Sequence, residues 1–248
     1  MDIGMLFIVM LFVGVMLFFA NQARRQKGRN LRDIPAFYKL QGALEVAVED
    51  GTRLHVAIGR SDITSPQSAA ALVGLSMLRR IATVASESDN PPVSTSGNGL
   101  LAILAQDTLR ATYSQLGLFG AFENDLGRVT GLTPFSYAAG TIHLIRDEEV
   151  SGNVMAGTFG EEAALIAGAG ERRQILTLAG SDTLTGQAVL VATAHEPLIG
   201  EELYAGGSYL GAGAMHDASL HAQDVARWLV ALGLIGGALL GLLGGLAG

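Results

Sequence analysis

The hydrophobic pattern of the chain places an uncharged apolar stretch near each end and shorter periodicities between them. The first stretch, residues 3–20, contains no charged side chain. About eighteen helical residues span roughly 27 Å, close to the ~30 Å hydrocarbon core of a bilayer. A second stretch, residues 228–248, opens on Trp228, the only tryptophan. The pattern predicts one transmembrane helix in each stretch, with Trp228 at the membrane interface.

Positive charge follows the first apolar stretch rather than preceding it. The five basic residues that follow it are Arg24, Arg25, Lys27, Arg29 and Arg32. The positive-inside rule then predicts that the next segment lies in the cytoplasm, that this basic cluster contacts anionic lipid, and that both termini lie on the outer side of the inner membrane. A cleaved signal peptide is the alternative, but it would carry its charge before the apolar core and end in a small-x-small site. We therefore expect an uncleaved anchor.

Periodicity in the first part of the middle segment predicts strands and a long helix. Residues 44–49 alternate apolar and mostly acidic side chains, and an Asp-Gly pair follows, so we expect a β-hairpin whose second strand covers residues 54–58. Ser65 and Pro66 predict the N-cap and first residue of an amphipathic helix over residues 67–87. A polar linker that closes on a proline separates this segment from the first apolar stretch.

The later part of the middle segment alternates strands and helices. A short strand over residues 93–95 precedes a helix over 100–116, and a Thr-Pro pair predicts a short helix that ends near Gly140. The remaining expected elements are a strand over 141–145, strands over 153–156 and 175–179 that are each followed by a glycine-containing loop and a helix, a helix that starts at Pro197, and a helix from Ala218 into the second apolar stretch.

The succession of strand, glycine-containing loop and helix is typical of a parallel sheet covered by helices. We therefore expect an α/β fold, with a Rossmann-like three-layer domain and a mostly parallel sheet, flanked by one transmembrane helix on each side. The predicted divisions are an anchor over 1–22, a basic linker over 23–40, a cytoplasmic α/β domain over 41–215, and an amphipathic lead-in with a glycine-rich transmembrane helix over 216–248.

Composition excludes several kinds of chemistry. The formal net charge is −7, and five of the sixteen basic residues belong to the juxtamembrane cluster, so the domain is acidic and no nucleic acid is expected as a partner. Cysteine is absent, and Lys27 and Lys39 are the only lysines. The predicted domain beyond residue 40 therefore has no thiol nucleophile and no lysine for a Schiff base or a phosphate. We expect no cofactor.

The clearest motif is Gly97-Asn98-Gly99, which matches the start of G-x-G-x-x-G/A between a strand and a helix. Glycines in this position let backbone N–H groups approach a phosphate at a helix N-terminus. The alternative is a tight turn without a ligand, because the acidic residue expected about twenty positions later is at best Glu123.

Two further loops follow predicted strands. Thr158 lies in the first, and Ser181, Asp182 and Thr183 form the second. In a parallel sheet these residues would meet at the edge where α/β proteins bind ligands. The alternative is helix capping, above all for Asp182. Glu161 and Glu162 follow the first loop and would repel a phosphate there.

The sequence offers no convincing metal or catalytic constellation. His216 and His221 lie close together, but a spacing of five does not place both imidazoles on one helix face. We therefore expect no metal and interpret this segment as a solvated helix start. No G-x-S-x-G, H-E-x-x-H or Walker pattern occurs.

Glycines recur every four residues in the second apolar stretch, at Gly233, Gly237, Gly241 and Gly245. In lipid such a strip lets two backbones approach closely, so we expect it to pack against the first transmembrane helix, against copies of itself, or both. The alternative is a glycine-rich tail that only inserts into the bilayer.

Three segments carry a resemblance: residues 104–110, 131–140 and 196–203, with the sequences LAQDTLR, GLTPFSYAAG and EPLIGEEL. In these segments the chain resembles an uncharacterised family of bacterial membrane-anchored proteins. The resemblance covers most of the part between the anchors and implies membrane placement, and it carries no assigned activity and no catalytic residue.

Three functions remain open at this point. The first is a non-enzymatic, oligomeric scaffold that presents a cytoplasmic α/β domain to partners, including other membrane proteins. The second is a membrane-tethered sensor that binds a nucleotide-like ligand at the loops after the strands. The third is a hydrolase that uses Ser, His and Asp, although no spacing unites these residues.

Overall fold

The computed structural model describes residues 3–25, 32–65, 68–118, 120 and 122–246. The chain divides into two compact units, one formed by Met1–Arg32 with Gly213–Gly248 and one formed by Asp33–Ala212. We call them the helical-pair unit and the α/β unit. Lys27 and Arg29 of the basic cluster, and Pro66 of the predicted helix cap, lie outside the described residues.

The helical-pair unit contains two long apolar helices, α1 (Ile3–Arg25) and α9 (Ala214–Leu246). Segments of 20 residues in α1 and 29 residues in α9 are long and apolar enough to cross a membrane. The two helices therefore fit a membrane protein. α9 is continuous from Ala214, so its helical lead-in starts four residues before the predicted Ala218.

The two helices pack against each other near the start of α9. The rings of Phe19 and His221 lie 5.4 Å apart between their centroids. A half-open groove of about 250 Å³ is lined by apolar side chains of both helices, among them Leu11, Val15 and Val225. The contact between the two helices is therefore apolar along this groove.

The α/β unit alternates helices and strands. Its helices are α2 (Pro35–Glu49), α3 (Ser68–Val84), α4 (Gly99–Gln115), α5 (Pro134–Asp147), α6 (Ala163–Arg172), α7 (Leu184–Thr193) and α8 (Glu202–Tyr209), with a 3₁₀ turn at Ala85–Glu87. Its strands are β1 (Arg53–Gly59), β2 (Val93–Ser96), β3 (Gly127–Val129), β4 (Val150–Thr158), β5 (Leu176–Ser181) and β6 (Glu196–Leu198).

The six strands form one parallel sheet in the order β3-β2-β1-β4-β5-β6. This is the strand order of a doubly wound Rossmann-type sheet, in which the chain starts in the middle, winds outward on one side and then on the other. The predicted α/β class and the parallel sheet are confirmed. The order reverses between β1 and β4, so the crevice at the carboxyl ends of these strands is the topological switch point.

Helices cover both faces of the sheet. On one face, α2, α3, α4 and α8 pack over side chains such as Leu54, Val56 and Ile58. On the other face, α5, α6 and α7 enclose a second core that includes Ala57 and Met155. The two cores use alternate positions of β1, as the two-residue period of a strand requires.

The predicted strand over residues 44–49 is wrong, because these residues end α2. Pro35 occupies the start of that helix instead of ending a preceding one. Phe37, Leu40 and Leu44 are buried at spacings of three and four, so helical amphipathicity continues through the segment and overrides its short alternation.

The expected strand over residues 141–145 is also wrong. These residues extend α5, where Thr141, Leu144 and Ile145 are buried on one helical face, so the helix does not end near Gly140. The expected helix start at Pro197 is wrong as well, because Pro197 lies in β6 and the helix begins at Glu202.

Both edges of the sheet are short. β3 and β6 each contain three residues, and β6 includes Pro197. Proline cannot donate a hydrogen bond to a further strand, which is why it is tolerated on an edge.

The first and last helices of the α/β unit meet at the amino end of the sheet. The rings of Phe37 and Tyr209 stack with 4.9 Å between their centroids, and Gln41 donates to the Tyr209 carbonyl. Lys39 pairs with Glu196, the first residue of β6. The chain therefore enters and leaves this unit on the side opposite the carboxyl ends of the strands.

Candidate functional site at the carboxyl edge of the sheet

All seven residues predicted to bind a ligand lie at or just beyond the carboxyl ends of strands. Gly97, Asn98 and Gly99 follow β2, Thr158 ends β4, and Ser181, Asp182 and Thr183 end or follow β5. The sheet therefore brings the three groups to one edge, with the end of β1 between the first group and the other two. We call this region the carboxyl edge.

The G-x-G segment follows β2 and serves the fold in two ways. Asn98 is the N-cap of α4, and its side-chain oxygen accepts hydrogen bonds from the backbone N–H groups of Leu100 and Leu101 at 2.9 and 3.5 Å. A Cβ at Gly97 would lie 2.3 Å from Cγ of Arg60. Gly97 thus makes room for an arginine side chain, and Asn98 occupies amide groups that a phosphate would need.

An ion pair between Arg60 and Glu162 lies at the switch point between β1 and β4. Gly59 ends β1 with a φ of 77°, which turns the chain directly beside the Thr158 carbonyl. The next residue, Arg60, donates from Nε to Oε1 of Glu162 at 3.0 Å. Glu162 is 2% exposed and is the N-cap residue of α6. A buried carboxylate therefore already occupies the positive end of that helix.

The ends of β4 and β5 are joined by side chains. Oγ1 of Thr158 donates to Oδ2 of Asp182 at 3.0 Å. Ser181 accepts a hydrogen bond from the backbone N–H of Phe159 and donates to its carbonyl. Thr183, not Asp182, caps α7 by accepting from the N–H of Gly186 at 3.0 Å. The predicted capping role thus falls one residue later and leaves Asp182 available for another function.

Two buried oxygens at this edge have no hydrogen-bond partner among the described residues, namely Oγ of Ser61 and Oδ1 of Asp182. Burial raises the pKa of the Asp182 carboxyl, although the hydrogen bond from Thr158 works in the opposite direction. Burial and, to a smaller extent, the Asp182 charge raise the pKa of Tyr204. The charge of Asp182 therefore acts on the α8 residue Tyr204.

A row of buried polar side chains crosses the sheet and escaped the sequence analysis. Nδ1 of His55 lies 2.8 Å from Oδ1 of Asn153, and its Nε2 lies 2.8 Å from Oγ1 of Thr95. The hydroxyl of Tyr137 lies 3.4 Å from the Thr95 hydroxyl and accepts from the N–H of Gly59 at 3.3 Å. Burial lowers the pKa of His55 to about 4, against the opposing effect of its hydrogen bond to Asn153.

This row connects the middle of the sheet to the switch point through the Tyr137 hydroxyl. The only available signal in the sequence is the presence of polar residues inside otherwise apolar strands. The partners of His55 lie 40 and 98 residues away along the chain, so no local spacing could have paired them.

The arrangement at the carboxyl edge suits a hydrogen-bond donor better than a phosphate. Side chains cap the N-termini of α4 and α7, and the buried carboxylate of Glu162, the N-cap residue of α6, would repel a phosphate at the third. Within the described part of the chain, no three His, Cys, Asp or Glu side chains are grouped so that they could hold a metal ion.

The glycine strip of α9 is open. A Cβ added at Gly233, Gly237 or Gly241 would meet no atom of the described chain within 4 Å, apart from the helix's own backbone. Gly245 continues the register inside α9, and Trp228 is 70% exposed on the same helix. α1 is not in close contact at these glycines.

Comparisons with known proteins bear on the family of this chain. No curated protein and no solved structure matches this chain significantly. A family model described as a domain of unknown function, DUF6754, matches residues 2–247. The match spans both units, so the chain belongs to the DUF6754 family.

Proposed function

We propose that this protein is a membrane-anchored, self-associating scaffold that presents its α/β unit to partners in the cytoplasm. The observation that supports self-association is the open glycine strip of α9. Its four-residue register continues through the membrane-compatible part of the helix, and no described side chain fills the space beside Gly233, Gly237 or Gly241. A strip of this kind allows a second helix backbone to approach closely in lipid.

Disulfide trapping in native membranes tests this proposal, because the chain contains no cysteine of its own. In the full chain, Gly237→Cys should form disulfide-linked dimers. Ile235→Cys is the matched control, since residue 235 is exposed and lies about 160° around the helix from residue 237. Equal trapping of both variants, or a strictly monomeric product, would contradict the proposal.

The proposed cytoplasmic placement of the α/β unit rests, by the positive-inside rule, on the basic residues at the end of α1 and just after it. Asp107 is exposed on α4 and provides a labelling position. Asp107→Cys should resist a membrane-impermeant maleimide in intact cells and react after permeabilisation. Reaction in intact cells would place this unit on the outside and overturn the orientation.

A second function, a membrane-tethered sensor of a small ligand, is favoured by the strand order. The predicted ligand residues surround the switch point, where open α/β sheets bind their ligands. Thermal unfolding of the full chain in detergent, measured with a panel of nucleotides and other small metabolites, tests this function. Stabilisation by a member of the panel supports it, and the absence of any shift removes it.

A further inference from the structure

Helix α7 exposes apolar side chains that the described chain does not cover. Leu184 is 84% exposed and Val191 is 53% exposed, and Ala188 between them is exposed as well. Spacings of four and three residues place these side chains within about 60° of one another around the helix. We call Leu184, Ala188 and Val191 the α7 stripe. It has the pattern of an apolar seam that packs against a second helix.

The opposite side of α7 fixes the direction in which the stripe points. Leu190 is buried, and a Cβ at Gly186 would lie 2.4 Å from the carbonyl oxygen of Phe159. The side chain of Gln187 accepts a hydrogen bond from the backbone N–H of Gly200, in the loop after β6, at 3.2 Å. These contacts hold α7 against the rest of the α/β unit, so a rotation that buried the stripe would break them.

The charge pattern restricts what can cover the α7 stripe. Among the described helices of the α/β unit, α7 alone contains no charged residue. The nearest Asp, Glu, Lys or Arg residues along the chain are Asp182 and Glu196, one on each side of the helix. A charged partner would therefore find no ion pair on this helix. A bilayer surface is not favoured either, because interfacial helices carry Lys or Arg beside their apolar face.

A second copy of the same helix satisfies these restrictions. A two-fold contact must be self-complementary, and the α7 stripe brings no charge against its own copy although the chain has a net charge of −7. Ala188 lies midway along the stripe. A small side chain at this point lets two helices approach closely, while Leu184 and Val191 pack on either side of it.

The contact is small. α7 has ten residues and is about 15 Å long, which is too short to supply the roughly 1,200–2,000 Å² of a stable interface by itself. Copies that are anchored in one membrane meet at a high effective concentration, so a weak contact suffices there.

We infer that α7 is a contact surface between two copies of this chain, in which the α7 stripe of one copy packs against the stripe of the other across a two-fold axis. This contact is additional to the glycine strip of α9. The inference rests on the proposed function, because it requires copies that are concentrated by a shared membrane.

Disulfide trapping of the full chain in native membranes tests the inference. Ala188→Cys should form linked dimers whether the two helices run parallel or antiparallel, because the centre of the stripe meets its own copy in both arrangements. Ala111→Cys is the matched control, since Ala111 is an exposed alanine of α4, which covers the opposite face of the sheet. It should form about tenfold less dimer.

A second substitution in the Ala188→Cys chain separates packing from chance collision. Leu184→Glu places a carboxylate in the seam of both copies, so the trapped fraction should fall about tenfold. The unfolding midpoint should not fall, because residue 184 is largely exposed and a glutamate suits the first turn of a helix.

Equal trapping of Ala188→Cys and Ala111→Cys, or trapping that persists with Leu184→Glu, would overturn the inference. Dimers of Gly237→Cys without dimers of Ala188→Cys would overturn it and leave the proposed function standing, whereas no dimer of either variant would remove both. Quenching of a fluorophore attached in Ala188→Cys by spin-labelled lipid would assign the stripe to the bilayer and overturn the contact between copies.

Discussion

Acidification should destabilise the α/β unit through His55. The pKa of this imidazole is about 4 in the folded chain against an ordinary value of 6.5, because the ring is fully buried. The lowered pKa means that the folded state binds a proton less readily than the unfolded state. The contribution of the neutral His55 ring to the free energy of unfolding is therefore fully present well above pH 6.5, and it is lost as the pH decreases from 6.5 toward 4.

The size of the effect follows from the difference between the two pKa values. The two pKa values differ by about 2.5, which corresponds to a maximum loss of about 3 kcal/mol in the free energy of unfolding. Between pH 7.5 and pH 5.0 this loss is about 2 kcal/mol. Nδ1 of His55 donates to the amide oxygen of Asn153, so protonation would also remove the acceptor role of Nε2 toward the Thr95 hydroxyl. The charges of Glu148 and Arg128 act on His55 in opposite directions.

Urea unfolding of the full chain in detergent, followed by circular dichroism, measures this loss. Tryptophan fluorescence would not report on it, because Trp228 lies in the helical-pair unit. With a urea dependence of about 2 kcal/mol per molar, the midpoint should fall by about 1 M between pH 7.5 and 5.0. His55→Gln keeps hydrogen-bonding capacity without titrating in this range, so its midpoint should fall by about 1 M less than that of the original chain.

The comparison between the two proteins isolates His55 from the many acidic side chains that titrate in both. An equal pH dependence in the two proteins would refute the reasoning. An NMR titration of the His55 ring with a pKa near 6.5 would refute it independently.

Three further perturbations test the packing and capping of the α/β unit by urea unfolding. Gly74→Ala should destabilise the unit by about 1–3 kcal/mol, because a Cβ there would lie 2.3 Å from a β4 carbonyl oxygen. Gly42→Ala is the control: a Cβ at this position of α2 meets open space, so the change should stabilise the unit by up to about 1 kcal/mol, and equal effects of the two substitutions would contradict the contact at Gly74. Arg60→Ala should lower the free energy of unfolding by about 1–3 kcal/mol, because it leaves the buried Glu162 carboxylate unpaired. The double variant Arg60→Ala with Glu162→Leu should lose less than Arg60→Ala alone, and simple addition of the two single effects would contradict the pairing. Asn98→Ala should cost about 1 kcal/mol through loss of the α4 cap, while Asn98→Asp should be nearly neutral; a neutral alanine variant would contradict the cap.

Local signals in the sequence predicted those parts of the fold that depend on local chemistry. β4, β5 and the helices after them follow from apolar runs, glycine-containing loops and helix periodicity. The prediction of a strand at residues 44–49 was wrong because six alternating residues fit a strand and the end of an amphipathic helix equally well. Burial of one helical face against the sheet decides in favour of the helix.

The candidate site required information that no local pattern contains. The predicted residues Thr158 and Asp182 do come together, because both follow parallel strands that proved to be neighbours. Ser61 and Arg60 escaped notice because the first predicted unit was a hairpin, which would have placed the end of β1 elsewhere. Sheet order, and with it the switch point, depends on pairing between strands that are far apart along the chain.

The short edge strands of the sheet restrict the ways in which copies of this protein could associate through β-strand pairing. Three-residue strands at both ends, one of them interrupted by Pro197, offer too few free amide groups for a neighbouring molecule to extend the ladder. Assembly by continuous β-pairing is thereby disfavoured. Association between copies, as proposed above, would instead use helix surfaces, which can separate again without unfolding the domain.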